Sequence, residues 1–146
     1  MIVRRLIAAV GAAGLVGAGA FLLPAIAGSH SVTHTLKFIS VTKKSANFSK
    51  TSGGQSDWDV NKAGKVIGFD EIYFKFNPKT QTASGGVTLD TRGGFLYGTL
   101  KFSNGPVTRG KVTGGTGIFK GATGTITGRN LNKRGTRTAV TITYHR

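Results

Sequence analysis

Acidic residues are so scarce in this chain that every possible general acid or base can be named. They are Asp57, Asp59, Asp70, Glu71 and Asp90. Inside an apolar cavity a carboxyl group has a raised pKa, because burial disfavours its charged form, unless a lysine or arginine lies beside it. Such a group could exchange a proton with a bound molecule. The competing interpretation is that Asp57 and Asp59 cap a turn, since aspartate favours loops.

Other chemistries find less support in the sequence. The chain contains no cysteine, which excludes thiol nucleophiles and metal-thiolate sites. Its histidines, His30, His34 and His145, have no third ligand nearby in sequence, which argues against a metal site. Residues 105–112 resemble a phosphate-binding loop, but Val112 stands where a magnesium-binding hydroxyl is needed and strand-like sequence follows. We therefore predict neither a metal nor a cofactor.

The elements that position the acids are predicted to be strands. Apolar residues recur at every second position in four segments, a period typical of a half-buried strand. The residues predicted to share a face are Leu36, Phe38 and Ser40; Ile72, Phe74 and Phe76; Leu96, Gly98, Leu100 and Phe102; and Val140, Ile142 and Tyr144. Turn residues separate the segments at intervals of roughly 8–16 residues, which predicts antiparallel hairpins in a sandwich or a barrel.

Residues 112–126 carry the most specific pattern in the chain. Their glycine spacing fits neither a helix nor a phosphate loop and predicts two strands around a glycine hinge. The apolar residues that suit the pleated surface of these strands are Val112, Ile118, Phe119 and Ile126. The glycines predicted to supply the turn, bend or bulge are Gly114, Gly115, Gly117, Gly121 and Gly124.

This segment closely resembles the V-T-G-G-[ST]-G-x-F-x-G-x-x-G hallmark of the allene oxide cyclase and dirigent superfamily. Upstream, residues 57–60, 64–68 and 94–98 follow the order shown by bacterial secreted members. The resemblance covers residues 33–145. It implies an all-β domain over residues 28–146, an eight-stranded antiparallel barrel that can enclose one small ligand.

The resemblance also implies roles for individual residues. Asp59, and less specifically Asp57, resemble the acidic pair with which dirigent proteins protonate a bound quinone methide; Asp70 is the third candidate acid. Residues 40–43 read Ser-Val-Thr-Lys, where plant dirigent proteins have a His-Asp pair and plant allene oxide cyclases have a glutamate and an asparagine. A plant-type allene oxide cyclisation would therefore lack its electrostatic partner.

Aromatic side chains are expected on the lining or lip of such a barrel, where they would bind the ligand. The candidates are Phe38, Trp58, Phe69, Tyr73, Phe95 and Tyr97. Tyr73 and Tyr97 are favoured because each adds a hydroxyl that could orient a substrate. Alternatively, all six belong to the core or to hairpin packing, since aromatic residues favour strands without any ligand.

The N-terminal segment is predicted to be a signal-peptide helix over residues 1–27. Arg4 and Arg5 precede an apolar run over residues 6–23, and an A-x-A site ends at Ala27. Cleavage there would leave 119 of the 146 residues, enough for one domain, with no stable membrane anchor. An uncleaved anchor is the alternative. We expect a secreted protein.

The secreted chain would keep 18 lysines and arginines and five acids, a formal charge of +13. Such a field attracts nucleic acids, anionic membranes or anionic wall polymers without distinguishing them. The basic residues are spread along the chain, apart from a group around one loop at Arg129, Lys133, Arg134 and Arg137. The interleaved aromatics typical of single-strand binding are absent, so no specific nucleic-acid partner is predicted.

Two hypotheses follow from the sequence. In the first, the barrel binds a small apolar or phenolic molecule and guides its cyclisation or coupling without a cofactor. In the second, it is a non-catalytic cationic module that attaches to an anionic cell-surface polymer. Plant members of the superfamily assemble as trimers, so the resemblance also implies a possible homotrimer.

Overall fold

Eight antiparallel strands close into a barrel in the computed structural model, which describes residues 31–146. The strands are β1 (Thr33–Ser49), β2 (Ser52–Val60), β3 (Val66–Asn77), β4 (Thr82–Thr91), β5 (Gly94–Phe102), β6 (Val107–Gly115), β7 (Thr123–Asn130) and β8 (Arg137–His145). Each strand pairs with the next, and β8 pairs with β1, so no sheet edge is left open. The predicted eight-stranded antiparallel barrel is confirmed.

The period-two alternation of the sequence determines which side chains fill the interior. Along β5, for example, Leu96 and Leu100 are buried, whereas Tyr97 and Thr99 between them are exposed. The buried apolar core consists of Phe38, Leu89, Leu96, Leu100, Val112, Phe119, Ala122, Ile126, Ile142 and Tyr144. Each large aliphatic or aromatic member contributes roughly 1.5–3 kcal/mol through burial.

The two ends of the barrel differ. One end, here called the plugged end, carries the turns after β2 and β4 and a 3₁₀ helix, Gly117–Phe119. Phe119 is only 1% exposed, and its ring meets the Tyr144 ring edge to face with centroids 5.5 Å apart. The other end, here called the open end, carries the connections after β1, β3, β5 and β7.

The glycine-rich segment forms a hinge, although one detail of the prediction is wrong. Ile118 and Phe119 lie in the 3₁₀ helix and not in a strand. The Ile118 amide donates to the Gly93 carbonyl over 3.0 Å, and this contact ties the helix to the turn after β4. Gly117 takes a φ of +56° against the same carbonyl, so a side chain there would be strained. The other positive-φ glycines of the segment are Gly114 and Gly121.

The predicted signal peptide, residues 1–27, lies outside the described residues, so its cleavage stays a prediction. Within residues 31–146, no helix is both long and apolar enough to cross a membrane.

Candidate functional site

A cavity of about 230 Å³ occupies the barrel lumen. Its walls combine apolar and polar side chains in similar measure, and they reach the connections at the open end through Ser103, Gly105 and Gly135. The polar side chains along the strands include Ser40, Gln55, Asp57 and Asp70. Drug-sized ligands usually occupy about 300–1,000 Å³, so this lumen suits a compact molecule.

Three of the chain's five acids are buried in the barrel interior. Asp57, Asp59 and Asp70 are 3%, 1% and 5% exposed. Asp57 and Asp59 share the inward face of β2 because they are two positions apart, and Asp70 on β3 lies directly opposite Asp57. The structure thus brings together the three predicted acids. The other two acids, Glu71 and Asp90, are exposed on the outer face.

Asp57 is held in place by two neighbouring side chains. The Ser40 hydroxyl donates to Asp57 Oδ2 over 2.6 Å, and Gln55 Nε2 donates to the same oxygen over 2.8 Å. Asp57 Oδ1 is buried without a hydrogen-bond partner among the described residues. Ser40 and Gln55 were not predicted as site residues. The available signal was the position of Ser40, a polar residue on the same strand face as Leu36 and Phe38.

Asp70 has the electrostatic properties of an acid–base group. Burial, and next the negative charge of Asp57, raise the pKa of Asp70 to about 6, and side-chain hydrogen bonds with Asp59 and Ser40 oppose this rise. Its Oδ1 atom has no hydrogen-bond partner in the described part of the chain. A group with this pKa, on the wall of an enclosed cavity, can either give or take a proton near neutral pH.

Asp59 lies nearer the plugged end and does not line the main cavity. It borders a separate void of about 70 Å³, together with Lys37, Ile67 and Leu89. Burial, followed by the charge of Asp70, a side-chain hydrogen bond with Asp70 and the charge of Asp57, raises the pKa of Asp59 to about 9. Asp59 therefore stays protonated at neutral pH. In this protonated form its hydroxyl can donate to the carboxyl group of Asp70; among residues 31–146 no other side chain donates to its oxygens.

The six predicted aromatic residues do not lie together in the lumen. Phe38 lines the cavity. The others lie on the outer face of β2, β3 and β5 and are 39–50% exposed: Trp58, Phe69, Tyr73, Phe95 and Tyr97. They alternate with inward residues such as Asp57, Asp70 and Leu96, which forces them outward. Their role in ligand binding stays a prediction that concerns the outer surface.

The outer face holds a broad open groove of about 940 Å³ that includes Tyr73 and Tyr97. Tyr97 stacks on Phe95 with centroids 6.5 Å apart, and Tyr73 stacks on Phe48 at 6.2 Å. Tyr73 and Tyr97 thus stack on neighbouring aromatic rings on the barrel exterior.

No basic side chain balances the acids in the lumen. Among the described residues that line the cavity there is no lysine, arginine or histidine. Within residues 31–146, no three acidic or histidine side chains converge closely enough to hold a metal ion. The arrangement can therefore transfer a proton and stabilise positive charge on an enclosed molecule.

No protein-family model matches the sequence, and a comparison with curated proteins also gives no match. Several solved structures are similar. Pyocyanin demethylase has a TM-score of 0.62 and 17% identity, over 76% of this chain and 99% of that one. AbnU, an exo-specific intermolecular Diels-Alderase, has a TM-score of 0.63 and 14% identity, over 80% and 97% of the two chains.

A third similar structure is the pterocarpan synthase dirigent protein GePTS1. Its TM-score is 0.66 at 14% identity, over 84% of this chain and 93% of that one. At such low identities the likeness concerns the fold, and it agrees with the resemblance found in the glycine-rich segment. This chain therefore has the fold of the allene oxide cyclase and dirigent-like β-barrels.

Proposed function

We propose that this barrel binds a small, largely apolar or phenolic molecule in its lumen and guides the cyclisation or coupling of that molecule without a cofactor. The observation that carries the proposal is the pair of facing carboxyl groups, Asp57 and Asp70, in the wall of a cavity that is also lined by apolar side chains such as Phe38, Leu89 and Leu100. Folding alone would not favour this pair, because each buried carboxylate oxygen without a partner costs free energy.

The lumen would act on its ligand mainly by shape. Enclosure removes water and restricts the ligand to a few conformations, which can supply several kcal/mol toward a ring closure with few chemical groups. Asp70, with its pKa of about 6, would exchange a proton with the ligand. Asp57, fixed by Ser40 and Gln55, would stabilise positive charge that develops in the transition state.

The similar structures support a barrel that acts on small molecules, but they do not indicate which reaction it guides. Their names include a Diels-Alderase, a pterocarpan synthase dirigent protein and a demethylase. Barrels of one fold thus carry out different reactions, so the side chains that line each lumen must determine which reaction takes place. Here the deciding residues are the interior aspartates, together with Ser40 in place of the plant-type first-strand acids.

Native mass spectrometry tests the proposal. The full chain is incubated with an apolar extract of the producing organism's culture, and the bound masses are compared with those of the untreated protein. Val140→Phe, which fills part of the lumen, should abolish a discrete small-molecule adduct. Tyr97→Ala, on the outer face, should retain it. If Tyr97→Ala lost the adduct and Val140→Phe retained it, the ligand would bind in the outer groove, and a luminal function would be refuted.

A second candidate function, binding of an anionic cell-surface polymer, is favoured by one observation. Lys101 and Arg109 lie opposite each other on β5 and β6, and Lys111 lies on the same outward face. Retention of the protein on immobilised polyphosphate should fall in Lys101→Gln/Arg109→Gln but not in Lys75→Gln. This result would support polymer binding by the outward face of β5 and β6. Secretion and assembly as a homotrimer remain proposals that accompany either function.

A further inference from the structure

The charges of this protein are divided between its surface and its lumen. Every lysine and arginine among residues 31–146 is exposed. The lumen cavity is lined by Asp57 and Asp70 and, within the described part of the chain, by no basic side chain. In a chain with a formal charge of +15, the cavity wall is therefore acidic.

No basic side chain in the described lining of the cavity supplies a counterion for the two carboxyl groups. Each has a buried Oδ1 atom with no hydrogen-bond partner among the described residues. Lys37 borders the separate void beside Asp59. Lys43 borders an outer pocket to which Asp57 and Asp70 also contribute, but its Nζ atom lies 3.8 Å from the centre of the exposed Trp58 ring. A buried carboxylate needs a paired charge or hydrogen-bond donors to offset its desolvation.

A metal ion is a poor candidate for that partner. No group of three acidic or histidine side chains within residues 31–146 could hold one. The apolar walls, which include Phe38, Leu89 and Leu100, would instead contact the hydrocarbon part of an organic molecule. The free oxygens would accept hydrogen bonds from a charged N–H group on it.

Resting on the proposed luminal function, we propose that the ligand of this barrel is a compact organic cation, an apolar body that carries an ammonium or similar N–H group between Asp57 and Asp70. The same pair disfavours carboxylate ligands, because a further negative charge would enter a cavity whose described lining includes no basic residue. The ligand class is thus basic amines, not organic acids.

Three matched probes test this inference by isothermal titration with the full chain at about pH 7.5: 1-naphthylmethylamine, which is protonated there, 1-naphthylmethanol and 1-naphthoic acid. A charged hydrogen bond predicts that the amine binds about 10- to 100-fold more tightly than the alcohol. The acid should bind more weakly than both.

Asp57→Asn/Asp70→Asn keeps the side-chain size and removes both charges. It should bring the amine to within about threefold of the alcohol, while binding of the alcohol itself reports that the lumen is intact. Asp90→Asn, at an exposed acid, should keep the full preference for the amine.

Equal or tighter binding of the alcohol by the unmodified chain would overturn the cation inference and leave the luminal function standing. Failure of all three probes to bind would contradict both. If the double variant still bound the amine more tightly than the alcohol, the inference would also be overturned, because residues other than Asp57 and Asp70 would then bind the ammonium group.

Discussion

Asp57 on β2 and Asp70 on β3 lie directly opposite each other, and both side chains face the lumen. Opposed like charges destabilise a sheet, and burial increases the cost of keeping both ionised. The raised pKa of Asp70 is one consequence of this placement. The arrangement becomes favourable when a bound molecule supplies a proton donor or a positive charge.

Ser40→Ala should destabilise the barrel by about 1–3 kcal/mol, because the carboxyl group of Asp57 loses a buried hydrogen-bond donor. Urea unfolding at neutral pH measures the change. Ser84→Ala, at an exposed position on β4, should change the free energy of unfolding by less than about 0.5 kcal/mol. Equal effects of the two substitutions would show that the Ser40–Asp57 hydrogen bond contributes nothing to stability.

Stability should fall as the pH rises, contrary to ordinary acid denaturation. Asp59 has a pKa of about 9 in the fold and 3.8 as its ordinary value, so the native state holds a proton that the unfolded chain releases. Between these values the unfolded state binds fewer protons, and the free energy of unfolding therefore decreases with pH. Asp70 adds to this slope between 3.8 and about 6.

Asp59→Asn separates this effect from other titrations. The variant should raise the melting temperature at about pH 8.5 and have a much smaller effect at about pH 4.5, which is close to the ordinary pKa of 3.8, so that protonating the carboxyl group on folding costs little. Asp90→Asn, which removes an exposed acid, serves as the control. A melting temperature that rises from pH 5 to pH 8.5 in the unmodified chain, and equally in Asp59→Asn, would contradict a protonated Asp59.

Gly117→Val should impair folding. The residue has a left-handed φ of +56° and faces the Gly93 carbonyl, so valine would suffer both backbone strain and a clash. The expected loss exceeds about 2 kcal/mol. Gly105→Ala is the matched control, because its added Cβ would meet only Ser103 Oγ at 3.9 Å. Thermal melting compares the two, and normal melting of Gly117→Val would disprove the structural role of the hinge.

The sequence predicted the strands of the barrel because apolar and polar residues alternate along them and turn-forming residues separate them. The inward faces containing Phe38, Ile72 and Leu100 followed from the period of two. Ile118 and Phe119 were wrongly expected in strands, because their types favour a pleated surface, whereas the short hinge between β6 and β7 leaves room only for a 3₁₀ turn.

The candidate site could be predicted only in part. Spacing alone places Asp57 and Asp59 on one face of a strand. That Asp57 faces Asp70, and that Ser40 reaches Asp57, depend on the registers of β2 with β3 and of β1 with β2, which sequence spacing does not determine. The outward direction of Tyr97, by contrast, was implicit in the burial of its neighbour Leu96.

The most direct test of a ligand-binding lumen is methyl NMR of the full chain during titration with 1-naphthylmethylamine. The methyl signals of Leu89, Leu100 and Ile142, which line the cavity, should shift in a saturable manner. Those of Ile67 and Ile118, both exposed, should stay unchanged. Shifts confined to the exposed methyl groups, or no shifts at all, would contradict the account.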